Sequence, residues 1–188
     1  MKITKLKYLL FALFLTLSNI SDAQNNIWHN KKLYEYKSFG DENLTIKMVS
    51  NFKSITVNDE FTVMVCFLVK DGWNTYSTKE NPNYQALSLT FDLPTGLKMV
   101  EQQWSSPQIS TSETGETKEI YTGEFYAKYT FKFMSDKFAG SSLQIKAQSS
   151  WQCCNTNLCL LGESSLELTL GIGKKVKSGV FKNIPDKL

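Results

Sequence analysis

The sequence predicts an all-β chain folded as an immunoglobulin-like antiparallel β-sandwich. Three observations carry this reading. Apolar residues recur with period two over short segments, turn residues punctuate those segments at regular spacing, and no stretch of ten or more residues keeps a helical period.

The chain opens with MKITKLK, then the apolar run YLLFALFLTL, then SNISDA with Ser21 and Ala23 at the −3 and −1 places. This is the pattern of a signal peptide over residues 1–23, cut between Ala23 and Gln24. The run is too short to span a bilayer comfortably, and nothing later resembles a transmembrane helix. The expectation is a soluble, exported, periplasmic chain, in a compartment where disulfides persist. Lys2, Lys5, Lys7 and Asp22 belong to the leader, so the 21 basic and 18 acidic residues of the whole chain become 18 and 17. Every basic residue but the single histidine is Lys. Without Arg or a basic patch, nucleic acid is set aside as a partner. About 165 residues remain, enough for one domain with its own core.

Residues 24–43 read as a polar leading arm carrying Trp28, Tyr34, Tyr36 and Phe39, with one edge strand at most. LTIKMVSN, from Leu44, alternates. FTVMVCFLV, residues 61–69, is apolar on both faces, as in a central strand, and Lys70, Asp71 and Gly72 turn the chain. ALSLTFDL, residues 86–93, alternates and ends at Pro94, Thr95 and Gly96. Residues 109–118, rich in Ser, Thr, Glu and Gly, read as a loop. IYTGEFYAKYTFKF, residues 120–133, reads as a strand pair or one bent strand, and residues 138–140 turn the chain. SLQIKAQSSWQCC and SLELTLGI are the last two strands, closing the sandwich at Ile172. Residues 173–188 read as a loose, Lys-rich, solvated tail.

Three of the four cysteines stand within seven positions, in WQCCNTNLCLLGE. Strand alternation sorts them. Leu143, Ile145, Ala147, Ser149, Trp151 and Cys153 share the core face, so Cys153 points inward and Cys154 outward. Asn155, Thr156 and Asn157 are turn residues, and a hairpin here returns Cys159 to disulfide reach of Cys154. A ring of about six residues stabilises by roughly 2 kcal/mol at most, near the low end for disulfides. A short exposed bond also suits opening and closing by thiol exchange. The residues alone leave staple and redox pair both open. Cys66 reads as a buried free thiol, with an inter-sheet bond to Cys153 as the other possibility.

Other chemistries have weaker support. Cys-Cys-x4-Cys lacks the paired spacing of a zinc site, and His29, the single histidine, sits far away in the arm. No Cys-x-x-Cys-His haem motif and no nucleophile elbow occur. No cofactor and no metal are expected. A competing reading is a non-redox binding module whose hairpin disulfide is structural and whose Trp28, Trp73 and Trp104 hold a glycan or a protein.

WQCCNTNLCLLGE resembles the active-site segment of the N-terminal periplasmic domain of DsbD, the thiol:disulfide interchange protein. SITVNDEFTVMV, GWNTYS (residues 72–77), LPTG (93–96), WSSP (104–107) and IYTGEF (120–125) follow that family's order. The similarity runs from about Leu44 to Ile172. The resemblance implies an immunoglobulin-like domain carrying electrons as a dithiol/disulfide, with Cys154 and Cys159 as the catalytic pair. Trp73 and Tyr76 match aromatics near that pair, and Cys153 is an additional thiol beside it. It implies a membrane electron donor of the DsbD transmembrane type and thioredoxin-like or otherwise disulfide-bonded periplasmic partners, apocytochrome thiols among the conceivable acceptors. No transmembrane region or thioredoxin-like domain follows, so a free-standing version with a separate donor protein is expected. Asn74 stands where His is frequent, and Leu161 and Gly162 replace a Pro-Pro. Outward-pointing Cys154 is expected to be the sulfur that exchanges, with Cys159 resolving. No Lys, Arg or His is expected close enough to depress either pKa. Glu113 and Glu116, if their loop (residues 105–119) covers the pair, would raise it.

Overall fold

The computed structural model describes residues 28, 32–33, 36–112, 114–134 and 140–183. The leader, His29, Glu113 and the 138–139 part of the expected turn lie outside them. The chain forms an immunoglobulin-like sandwich of two sheets. The first has the order β1 (Phe39–Gly40), β2 (Leu44–Ser50), β4 (Glu60–Val69), β10 (Glu124–Phe133), β7 (Leu97–Trp104). The second has the order β13 (Val176–Lys177), β3 (Phe52–Ile55), β12 (Cys159–Ile172), β11 (Ser142–Cys154), β5 (Asn74–Tyr76), β9 (Thr117–Tyr121), β8 (Gln108–Thr111), with β6 (Ser88–Asp92) also on β11. The pairings are antiparallel except β12 with β3, which is parallel.

Period-two patterning builds the core between the sheets. Phe125, Ala127, Tyr129, Phe131 and Phe133 of β10 point inward, opposite Leu143, Ile145, Ala147, Trp151 and Cys153 of β11. Phe91 of β6 reaches across to Tyr129 and Phe131 in edge-on contacts, at centroid distances of 4.7 and 5.3 Å. Phe125 stacks between Phe67 at 4.6 Å and Tyr121 at 4.1 Å. Such ring contacts add to the burial of the rings themselves.

Three expectations are corrected here. Residues 109–118 are not a loop but most of the β8–β9 hairpin, paired from Gln108↔Ile120 to Thr111↔Thr117. This edge hairpin has no buried face along β8, so it shows no apolar alternation. The tail is not loose up to Asn183. Its β13 pairs with β3, the Ser178 N–H donates to the Asn51 carbonyl at 3.0 Å, and a 3-10 turn follows at Val180–Asn183. Nor does β2 have one wet face. Val49, Met64 and Cys66 are buried beneath the sandwich's outer surface by Leu33 and Val180, with Trp28, Tyr36 and Phe181 around them. Lys47 holds the arm there, donating to the Leu33 and Tyr36 carbonyls at 3.1 and 2.8 Å.

The β11–β12 hairpin positions the cysteines. Its register runs without slip from Ser142↔Gly171 to Cys154↔Cys159. Within it Gly162 lies opposite Trp151, and a Cβ on Gly162 would sit 2.3 Å from the indole. The ring is fully buried and has nowhere to retreat. Gly162→Ala is therefore expected to destabilise the fold by about 1–3 kcal/mol, the range for overpacking. Urea denaturation measures this, and an unchanged midpoint would show that the indole moves freely.

Candidate functional site

At the turn end of the hairpin, Cys154 and Cys159 stand directly opposite and are disulfide-bonded, with Cα atoms 4.1 Å apart. The turn is built by Asn155, whose Oδ1 accepts the N–H groups of Asn157 and Leu158, each at 2.8 Å. The Asn155 N–H donates to the Leu158 carbonyl at 2.9 Å and closes the loop. This Asx-turn holds the strands together whether or not the sulfurs are joined. A bond that closes an already closed loop contributes little as a staple.

The two sulfurs differ in access. Cys154 is buried, 5 % exposed, whereas Cys159 is exposed among Leu158, Leu160 and Leu161, themselves 50, 37 and 70 % exposed. The exposure expected at Cys154 is thus found at Cys159. Alternation places Cys154 on the outer face, opposite the core, but that face is covered. Strand β5 pairs edge to edge with β11, with Asn74 opposite Cys154 and Thr75 opposite Cys153, which puts Tyr76 on the face that carries Cys154. The Tyr76 hydroxyl lies 3.6 Å from Cys154 Sγ, and Tyr84 stacks on the Tyr76 ring at 3.7 Å. Gln152, two residues before Cys154 on the same face, aims its Nε2 at Sγ from 3.6 Å. The Gln85 backbone N–H donates to Gln152 Oε1 at 2.9 Å. Tyr76 and Gln152 thus lie against the sulfur, each held in turn by a residue of the segment that carries Tyr84 and Gln85.

Of the residues expected around the pair, Tyr76 touches Cys154, while Trp73 packs against the main core. Cys153 points inward, as its alternation requires, and remains a free thiol, as does Cys66. The Cys66–Cys153 bond is not formed. Burial pushes the Cys153 thiol up to about 12, aided by the Asp41 carboxylate and opposed by a hydrogen bond with Thr75. Burial raises the Cys66 thiol further, with Glu124 adding to the shift and Lys47 opposing it. Neither supplies a thiolate at neutral pH. Glu116 is paired with Lys118 at 3.5 Å, and the Lys118 ammonium stands 6.0 Å from the Tyr76 ring centre. The sequence offered no cation close to the pair, and the β8–β9 hairpin brings one to Tyr76. Trp104 stacks on Phe67, and Trp28 packs in the second cluster, so the tryptophans of the binding-module reading serve the cores.

Gln152, Tyr84 and Gln85 were not singled out from the sequence. Gln152 was within reach, since it shares Cys154's face by period two. Tyr84 and Gln85 carry no comparable signal, because their segment meets the sulfur through tertiary folding.

A β-sandwich whose short hairpin disulfide has one buried and one exposed sulfur has the form of a thiol–disulfide exchange domain. The chain belongs to the family described as thiol:disulfide interchange protein DsbD, N-terminal, which matches residues 42–171. A search of curated proteins gave no significant match. Among solved structures, the N-terminal periplasmic domain of ScsB from Proteus mirabilis is 14% identical, with a TM-score of 0.47, over 68% of this chain and 47% of that one. This chain thus spans about half the length of that ScsB structure. The reduced DsbD N-terminal domain of Neisseria meningitidis is 17% identical, TM-score 0.35, over 69% of this chain and 89% of that one. The structure of a complex between the DsbD and PilB N-terminal domains from Neisseria meningitidis matches at 14% identity, TM-score 0.34, over 66% of this chain and 80% of that one.

The buried thiols make two outcomes testable. In the reduced, folded chain at pH 8, iodoacetamide should label Cys159 first and leave Cys66 and Cys153 unlabelled until denaturant is added, as read by mass spectrometry. Their raised pKa values also set a pH dependence. The folded chain keeps protons that the unfolded thiols, near 9.0, release. The stability from these groups is fully present below pH 9 and declines as pH rises from there toward 12. Denaturation across pH 8–11 should show that decline, and a Cys66→Ala/Cys153→Ala chain should show a shallower one.

Proposed function

We propose that this chain is an exported, periplasmic thiol–disulfide exchange protein that relays electron pairs through the Cys154–Cys159 dithiol/disulfide. The observation that carries this reading is the asymmetry of the bond. Cys159 is an exposed residue within an apolar rim, and the Cys154 sulfur is held against Tyr76 and Gln152. Exchange requires in-line attack on one sulfur while the other leaves, so unequal access sets the order of events. A partner's thiolate attacks Cys159 Sγ, the Cys154–Cys159 bond breaks, and its electron pair leaves on Cys154 Sγ. The partner's second thiolate then attacks the partner sulfur of the mixed disulfide and releases Cys159 as a thiolate. The partner ends as a disulfide and this chain as a dithiol, having gained two electrons. Reduction of a further disulfide protein runs the same steps in reverse.

Membership of the DsbD N-terminal family supports this direction of thinking. The donor is proposed to be a membrane protein of the DsbD transmembrane type, and the acceptors thioredoxin-like or other disulfide-bonded periplasmic proteins. The leader-like residues 1–23 support export. No cofactor takes part in these steps.

The test is a redox titration of the chain without residues 1–23 in glutathione and dithiothreitol buffers, with thiols trapped and mapped. The expected result is that Cys154 and Cys159 interconvert at a potential above the structural range. A pair that stays oxidised below about −300 mV would make the bond a staple and end this reading. A Cys154→Ser chain should accumulate mixed disulfides through Cys159, recoverable on non-reducing gels.

A further inference from the structure

We propose that Gln152 is a catalytic residue of the exchange reaction, donating from its side-chain amide to Cys154 Sγ as that sulfur leaves. The inference rests on the exchange reading above and adds to it the group that receives the displaced charge.

Three observations carry it. First, the sulfur that leaves is the buried one. When a thiolate attacks Cys159, two electrons settle on the sulfur of Cys154, a residue only 5 % exposed to water. A thiolate formed there without donors would be strongly disfavoured by desolvation. Second, Gln152 Nε2 stands 3.6 Å from that atom, within the range of a long N–H···S contact, on the same face of β11. Third, the amide is oriented. The Gln85 backbone N–H donates to Oε1 at 2.9 Å, which leaves the NH2 end to face the sulfur. The opposite orientation would set an N–H against an N–H and an oxygen against the sulfur. An amide so fixed costs no reorganisation when the charge appears, which is the condition for electrostatic stabilisation of a transition state.

Titratable groups of the packed elements reach this region from β5 and β9. Tyr76 of β5 places its hydroxyl 3.6 Å from the same sulfur, and Lys118 of β9 lies over the Tyr76 ring. Gln152 differs from both because its amide carries no titratable proton. Its donor is available whatever the ionisation of its neighbours. It also ties the sulfur to the segment after β5, since the same side chain holds Gln85.

The test uses Gln152→Glu and Gln152→Met chains beside wild type. Glutamate keeps an acceptor for the Gln85 N–H but turns an oxygen toward the sulfur. Methionine keeps the length and removes the donor. Reduction by dithiothreitol is followed at pH 7, together with the pH dependence of Cys154 alkylation in the reduced chain. Both variants should reduce about tenfold more slowly and raise the Cys154 pKa, Gln152→Glu the more, as expected for loss of a hydrogen bond to a charged group. In reduced wild type, the Gln152 side-chain amide nitrogen should shift in NMR with the Cys154 titration, a measurement that needs no variant. Wild-type reduction rate and pKa in Gln152→Glu, with an amide signal that ignores the titration, would overturn the role while leaving the relay intact. A wild-type pair that never reduces above the structural range would instead remove the relay and this role with it.

Discussion

The unslipped register of the β11–β12 hairpin is the constraint on which the site depends. It ends on Cys154 opposite Cys159 and thereby decides three things at once. It sets the two sulfurs at bonding distance. It turns Cys153 into the core, where its thiol is out of play. It also brings Gly162 under Trp151, so the long hairpin closes against the largest ring of the core without a bulge. A slip by one residue would exchange the faces and leave a different cysteine at the surface.

Around that register the chain divides the work of its two outer surfaces. The outside of the first sheet is sealed by the arm and the tail, with Lys47 fastening the arm through backbone carbonyls. The outside of the second sheet is sealed only locally, where Tyr76, Tyr84 and Gln152 gather over Cys154. The disulfide lies at the margin of that local cover, with one sulfur beneath it and one beyond it. Exchange chemistry gains from this arrangement. In the proposed exchange, a bulky protein partner approaches the exposed cysteine, and the displaced charge forms where donors already stand.

Much of this was legible in the residues. The strands of the core show themselves by alternation, and residues 143–154 give the face of each side chain correctly through Cys153. The turn chemistry of Asn155 announced the hairpin and the partner of Cys154. The β8–β9 hairpin was hidden because an exposed edge needs no apolar pattern. The tail was hidden because, among its described residues, one buried apolar side chain, Val180, anchors it within a polar stretch.

By itself the sequence determined the sandwich, the family, the reach of Cys159 to Cys154 and the faces of Cys153 and Cys154. These follow from local periodicity and from neighbours a few residues apart. Tertiary structure alone decided which sulfur meets solvent and which donors surround the other. A strand's own pattern tells which way a side chain points, but water reaches it only if no distant segment crosses that face. Here Tyr76 and Gln152 lie against Cys154, backed by Tyr84 and Gln85 of another segment, while Cys159 stays exposed.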